Sequence, residues 1–200
     1  QETAAVERLS EDIADLMAGG RDVSPALVVA LAAYRPLYQL SWAEDLLEHK
    51  WPDELMTVIA RQLREPLEEI SLRNQISSLT PIRRAVSMAV RDQYEENPYP
   101  RWVKGNMLAE PRTIREVLEL SPLKIDLGGY VSPESPEILV AGCGTGQHAL
   151  SVASHFSNST VLGVDLSFAS LSYAIRKTRE LGFTNIEYAQ ADIMELGGLE

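Results

Sequence analysis

One stretch decides the fold: Ile138-Leu139-Val140-Ala141-Gly142-Cys143-Gly144-Thr145-Gly146-Gln147-His148-Ala149-Leu150. Four apolar residues run into three glycines at alternate positions, and a sequence able to begin a helix follows. A short apolar run that ends in glycine predicts a buried strand and then a tight turn. Glycine lacks a Cβ, so the turn can take positive φ and approach a ligand closely. The amides of the following helix start can bind polar or anionic groups, as in a nucleotide-binding α/β unit.

The turn and the helix start also fit the dinucleotide pattern G-x-G-x-x-G/A, from Gly144 to Ala149. That pattern requires an acid about 20 residues further on. Asp165 stands there, at the end of a second apolar run, residues 160–164. Its carboxylate can accept hydrogen bonds from ribose hydroxyls. The pattern alone does not separate a nicotinamide cofactor from S-adenosylmethionine.

Two further features favour the second cofactor. Gly142 stands directly at the strand end, and a third strand-like run, residues 185–190, leads into Ala191-Asp192-Ile193. These residues resemble the class I S-adenosylmethionine-dependent methyltransferases. The resemblance implies a cofactor site built from the glycine turn, an acid for the ribose, an acid for the adenine amine and two residues that flank the adenine ring. By this resemblance, the turn residues at the cofactor are Gly142, Cys143, Gly144 and Gly146. Asp165 would bind the ribose and Asp192 the adenine amine, and Leu166 and Ile193 would flank the adenine ring.

The sequence departs from that family at Val140, where an acid often stands two residues before the first glycine. We therefore expect the methionine end of the cofactor to be held by backbone or by the helical segment upstream. Cys143 is expected near the ligand but not as a nucleophile, because no partner base is identifiable. The three scattered histidines have no metal-ligand spacing, so no metal site is predicted.

The first hundred residues have apolar residues at helical spacing, punctuated by proline and glycine. This pattern predicts helices at about 2–18, 25–34, 41–49, from 53, 66–73 and from 80 to about 97. No tetratricopeptide repeat, with a period of about 34 residues, is visible. We therefore predict an all-helical N-terminal domain, residues 1–105, in which Trp42 and Trp51 are core or interface aromatics.

An aromatic, proline-rich run interrupts the helical pattern: Tyr94-Glu95-Glu96-Asn97-Pro98-Tyr99-Pro100-Arg101-Trp102. It is similar to a run upstream of the glycine motif in bacterial methyltransferase proteins that often also carry tetratricopeptide repeats. Its aromatic and arginine side chains offer stacking faces and polar tips for recognition. Tyr99, Arg101 and Trp102 are therefore candidates for the substrate side. An equal alternative is a loop whose aromatics fill a gap between the helical part and the sheet.

Residues 106–137 contain a candidate short helix, 111–120, and turn-forming glycines, serines and prolines, so we interpret them as a connector. Residues 138–200 alternate strands with helices at 147–155 and from Ser167 to Gly182. They predict the first three strands of a parallel, Rossmann-like sheet. A methyltransferase of this class usually has seven strands. We therefore expect a fragment that lacks the acceptor-side half, with its open edge covered by dimerisation, strand exchange or the helical domain.

Composition limits the classes of partner. The chain has 200 residues, 45% of them hydrophobic, and a formal net charge of −11, which disfavours nonspecific binding to nucleic acid or an anionic membrane. Its single cysteine, Cys143, allows no intrachain disulfide. No apolar run approaches the roughly 20 residues that span a bilayer. The cytoplasm is the expected compartment.

The leading hypothesis is methyl transfer from S-adenosylmethionine to an unidentified acceptor. One rival is an NAD-dependent oxidoreductase that uses the Gly144–Ala149 pattern, with Asp165 favouring NAD over NADP. Another rival is a non-catalytic module in which the helical domain binds a protein partner.

Overall fold

The computed structural model describes residues 2–105, 107, 110–120, 122 and 126–198. The chain divides into two compact units, residues 1–68 and 69–200. This division differs from the predicted boundary at residue 105, because residues 69–105 pack within the second unit. Part of the predicted connector, residues 106, 108, 109, 121 and 123–125, lies outside the described residues, as do 199 and 200.

The first unit is helical. Its elements are α1 (Glu2–Ala18), α2 (Pro25–Ala32), a 3-10 turn (Leu37–Gln39), α3 (Ala43–Glu48), α4 (Asp53–Ile59) and a π-helical turn (Ala60–Arg64). The next helix, α5 (Glu65–Arg73), contains the boundary between the two units. Pro25 begins α2, where its missing N–H would have no helical partner in any case. The π-helical turn directly precedes Glu65-Pro66, where the proline ring and missing donor disfavour a regular α-helix.

The core of the first unit consists of fully buried aliphatic side chains from these helices. They include Ile13, Leu31, Leu37, Leu46, Ile59 and Leu63. Trp42 and Trp51 pack against this core, as expected. The indole N–H of Trp51 also donates to the Leu46 carbonyl at 2.7 Å.

The second unit contains a parallel four-stranded sheet, so the predicted fold class is confirmed. Its strands are β1 (Ser77–Ser78), β2 (Glu137–Ala141), β3 (Thr160–Asp165) and β4 (Ile186–Gln190), in the order β1-β4-β3-β2. The last three are the predicted strands. The fourth, β1, was not predicted, and it covers the edge of β4 with Ser77 opposite Ala189. That edge is therefore paired within the chain.

Four helices and a 3-10 turn (Leu196–Gly198) accompany the described sheet: α6 (Ala85–Glu96), α7 (Ile114–Glu119), α8 (Gln147–His155) and α9 (Phe168–Glu180). The Ser167 hydroxyl caps α9, as predicted, by accepting from the Ser170 amide at 3.1 Å. Gly182, with φ of 76°, follows its C-terminus.

The prediction that a helix opens at Thr80-Pro81 is wrong, because α6 begins only at Ala85. Thr80 is 5% exposed, and its hydroxyl accepts from the Asp192 amide at 2.7 Å. The Thr80 hydroxyl thus hydrogen-bonds to the loop after β4.

Candidate functional site

The glycine turn joins β2 to α8 and occupies residues 142–146. All three glycines have positive φ: 71° at Gly142, 54° at Gly144 and 81° at Gly146. A Cβ on Gly142 would meet no protein atom within 4 Å, so open space lies beside that part of the turn. A Cβ on Gly146 would lie 2.6 Å from the Ala174 Cβ and 2.9 Å from the Tyr188 hydroxyl. Gly142 thus leaves room for a ligand, and Gly146 allows close packing of the turn on α9.

Backbone hydrogen bonds close the turn onto the end of β3. The amides of Gly142 and Cys143 both donate to the Val164 carbonyl, at 2.8 and 3.0 Å. The Gly146 amide donates to the Cys143 carbonyl at 3.0 Å. These hydrogen bonds hold the turn against the end of β3.

Asp165 links this turn to the next helix. One carboxylate oxygen accepts from the Gly144 amide at 2.8 Å, and the other accepts from the Ser167 amide at 3.1 Å. Each carboxylate oxygen has two lone pairs, so both retain capacity for ribose hydroxyls. The structure thus gives Asp165 a part in shaping the turn that its predicted role did not include.

A cavity of about 490 Å³ opens beside the turn. This volume falls in the usual range for small-molecule and cofactor sites. The glycine turn, the first turns of α8 and α9 and the ends of β3 and β4 form part of its wall, and α6 and the proline-rich run form the rest. Its lining residues are Val90, Tyr94, Tyr99, Pro100, Gly142, Cys143, Gly144, Thr145, Gln147, His148, Asp165, Leu166, Ser170, Ala191 and Ile193.

Most of the predicted cofactor residues meet at this cavity. Gly142, Cys143, Gly144, Asp165, Leu166 and Ile193 line it. Gly146 and Asp192 are not among the lining residues. Gly146 packs on α9 instead, whereas Asp192 is only 1% exposed and lies between two lining residues, Ala191 and Ile193.

The Asp192 carboxylate is only half satisfied by the described residues. Its Oδ1 accepts from the Met194 amide at 3.0 Å, but no described group hydrogen-bonds to the buried Oδ2. A buried acceptor without a donor is costly and rare in folded proteins. A ligand that brings an amine to this position would remove that cost.

The three predicted substrate-side residues separate in the structure. Tyr99 lines the cavity and is 73% exposed. Arg101 pairs with Glu69 at 2.9 Å, and Trp102 is buried, with its indole N–H donating to the Thr145 carbonyl at 3.0 Å. Neither Arg101 nor Trp102 lines the cavity. An irregular loop has no side-chain period, so the sequence could not show which residues face the cavity.

Further residues that were not predicted for the site also line the cavity, among them Val90, Tyr94, Thr145, Gln147 and His148. Thr145, Gln147 and His148 follow directly from the turn geometry. Tyr94 and Val90 come from α6. The only feature of the sequence that points to them is the aromatic run beginning at Tyr94, which occurs in the same chain as the glycine motif.

The electrostatics of the turn disfavour covalent chemistry at Cys143. Burial, and secondarily the negative charge of Asp165, raises the pKa of this thiol far above its ordinary value. The thiol therefore stays protonated near neutral pH and is a poor nucleophile.

Within the described residues, no three His, Cys, Asp or Glu side chains are grouped so as to hold a metal ion. In the same part of the chain, no helix is long and apolar enough to cross a membrane.

A parallel sheet with a glycine turn after one strand and acids after the next two defines a class of cofactor-binding domain. Comparison with known families identifies that class: residues 138–200 match the model of a methyltransferase domain. The predicted resemblance to class I S-adenosylmethionine-dependent methyltransferases is therefore confirmed for this segment, and with it the predicted cofactor class.

Individual relatives are similar over limited stretches. The chain is 38% identical over 68 residues to trans-aconitate 2-methyltransferase of Deinococcus radiodurans, covering 33% of this chain and 25% of that protein. It is 36% identical over 75 residues to tRNA (guanine-N(7)-)-methyltransferase of Rubrobacter xylanophilus, covering 35% and 34%. It is 30% identical over 125 residues to an uncharacterised protein of Rickettsia prowazekii, covering 62% and 21%. The chain thus matches no more than about a third of the length of these relatives.

Proposed function

We propose that this chain binds S-adenosylmethionine and takes part in transferring its methyl group to an acceptor still to be identified. One observation carries the proposal. The buried Asp192 Oδ2 has no described donor, and its chain neighbours line the cavity beside the glycine turn. The adenine amine of the cofactor is a donor of the kind that this oxygen lacks.

The other lining residues suit the remaining parts of the cofactor. Asp165 has lone pairs for the ribose hydroxyls, and Leu166 and Ile193 offer apolar surfaces to the adenine ring. Val140 is 5% exposed and cannot replace the family's acid at the methionine end. The amides at the start of α8 can bind the methionine carboxylate, and Tyr94 from α6 supplies a polar tip in the same cavity.

When bound, the cofactor supplies a methyl group already activated on a sulfonium centre. The chain therefore has to align the reactants and exclude water. The wall that α6 and the proline-rich run contribute includes Tyr94, Tyr99 and Pro100. We place the acceptor on the side of Tyr99, which is 73% exposed. Arg101 and Trp102 do not contact the acceptor in this proposal.

The first test is calorimetric titration of the chain with S-adenosylhomocysteine and, separately, with NADH. S-adenosylhomocysteine carries the same adenine and ribose groups and does not react. Saturable binding of S-adenosylhomocysteine alone is expected. Binding of NADH alone would replace this proposal by the oxidoreductase alternative, and binding of neither would contradict a cofactor site.

Asp192→Ala tests the residue that carries the proposal. We expect this substitution to weaken S-adenosylhomocysteine binding by roughly ten- to a hundredfold, because a hydrogen bond to a charged group contributes about 1.5–3 kcal/mol. Asp126→Ala is the matched control. Like Asp192, Asp126 accepts from the amide two residues on, at 2.9 Å, but none of the described residues next to it in the chain lines the cavity. Equal affinity of the two variants would show that Asp192 does not hold the adenine.

A further inference from the structure

Thr145, which lies between Gly144 and Gly146 in the turn, is bonded to the proline-rich run through its hydroxyl and its carbonyl. Its hydroxyl donates to the Pro100 carbonyl at 2.6 Å. Its carbonyl accepts from the Trp102 indole N–H at 3.0 Å. Thr145 is 2% exposed, so water cannot readily replace either partner. Residues 100–102, which we call the turn clamp, therefore hold the backbone between Gly144 and Gly146.

The turn clamp is itself anchored on α9. The Tyr173 hydroxyl donates to the Trp102 carbonyl, and the Tyr173 ring meets the Trp102 indole edge-on, with ring centroids 6.2 Å apart. The Lys177 ammonium lies 5.1 Å from the centre of the indole ring and donates to the Val103 carbonyl at 3.4 Å. Trp102 is therefore fixed through its backbone, its ring face and its ring edge.

A buried ion-pair network supports the same anchor. The carboxylate of Glu69 accepts from Arg101 and from Arg176, each at 2.9 Å. Both guanidinium groups lie over the Tyr173 ring, at 4.7 and 4.9 Å from its centre. The Glu69 and Arg176 side chains are only 9% and 6% exposed. Buried charges of this kind demand defined geometry, so the clamp has little freedom to shift.

We propose that Trp102 is a positioning residue that, together with the Pro100 carbonyl, sets cofactor affinity by holding the glycine turn in its binding conformation. This inference rests on the proposed function. Backbone groups of the turn face the ligand cavity, and glycines at positive φ are conformationally free unless they are restrained. A turn that is ordered beforehand loses less entropy when it binds a ligand. Trp102 does not line the cavity, so its effect reaches the ligand through Thr145.

Trp102→Phe tests the clamp, because it removes the indole N–H, keeps an aromatic ring and changes no cavity-lining side chain. The chain offers a matched control in Trp51→Phe, which removes an indole-to-carbonyl bond at 2.7 Å in the helical unit. We expect Trp102→Phe to weaken S-adenosylhomocysteine binding by about five- to tenfold, the effect of one net hydrogen bond. Trp51→Phe is expected to lower the melting temperature and leave the affinity unchanged. The proposal would be overturned if the two variants bound S-adenosylhomocysteine with the same affinity, whether both were weakened or neither was.

A second pair of variants tests the hydroxyl of Thr145. Thr145→Val removes the donor to Pro100 with little change in shape, whereas Thr145→Ser retains it. We expect weaker binding for Thr145→Val and recovery of most of the affinity in Thr145→Ser. Normal binding by Thr145→Val together with weak binding by Thr145→Ser would show that the Thr145 methyl group, and not its bond to Pro100, is what matters.

Hydrogen exchange in the ligand-free chain separates the clamp from the cofactor assignment. We expect Trp102→Phe to speed exchange of the amides in residues 142–147 more than those of β3, and Trp51→Phe to leave this turn unchanged. Unaltered exchange at the turn would overturn the clamp whatever the affinities are. If the unmodified chain fails to bind S-adenosylhomocysteine, the proposed function falls, and the exchange data still decide whether Trp102 orders the turn.

Discussion

Cys143 lies in the glycine turn, where burial and then the charge of Asp165 raise the pKa of its thiol. The folded chain therefore keeps this proton to a higher pH than the unfolded chain does. Stabilisation from the neutral thiol is fully present below the ordinary pKa of about 8.5 and is lost as pH rises above it. Burial also raises the pKa of Tyr188, whose ordinary value of about 10 places its effect at higher pH.

This shift predicts how stability depends on pH. Between about pH 8.5 and 9.5, the free energy of unfolding should fall more steeply in the unmodified chain than in Cys143→Ala, because only the former exposes a thiol that ionises on unfolding. Urea unfolding followed by circular dichroism measures both slopes. A second readout is alkylation of this sole cysteine by iodoacetamide at pH 8, which should be slow in the folded chain and fast in urea. Equal alkylation rates in the two states would contradict the raised pKa.

At the scale of elements, the close contact of the glycine turn with α9 gives another prediction. Gly146→Ala places a Cβ 2.6 Å from that of Ala174, with φ at 81°. We expect a loss of about 2–4 kcal/mol, the sum of left-handed backbone strain and overpacking. Gly182→Ala is the control, because its φ is 76° but its Cβ would meet nothing within 4 Å. That variant should lose only about 1–2 kcal/mol. If the two variants shifted the urea midpoint of unfolding equally, α9 would have to move aside for the added Cβ at position 146.

The elements also show what sequence can predict. Strands β2, β3 and β4 and helices α8 and α9 are evident because apolar runs, glycines and a serine cap mark their ends locally. Strand β1 has only two serines, and its partner in β4 lies 112 residues away, as the bond from Ser78 to Gln190 shows. The turn clamp is equally non-local, because Trp102 and Thr145 are 43 residues apart. No local pattern encodes either contact, so neither could be predicted.

At the scale of the whole molecule, the α/β unit includes more of the chain than its sequence motif does. Residues 138–200 carry the motif and the family match, but the compact unit begins at Glu69. The added segment supplies β1, α6 and the turn clamp. Without it, β4 would expose an unpaired edge, and Thr145 would lose both of its partners. Dimerisation or strand exchange between copies of the chain stays a prediction.

This difference in boundaries leads to a test with two fragments. We expect residues 69–200 to unfold cooperatively and to bind S-adenosylhomocysteine about as well as the full chain, because every described cavity-lining residue lies within them. Residues 106–200, cut at the boundary that the sequence predicts, should bind apolar dyes and show little amide protection in β4. Their exposed strand edge also predicts association, which sizing chromatography would detect. A folded, monomeric 106–200 fragment that binds the ligand would show that β1, α6 and the clamp are dispensable, and the earlier segment would then need another explanation.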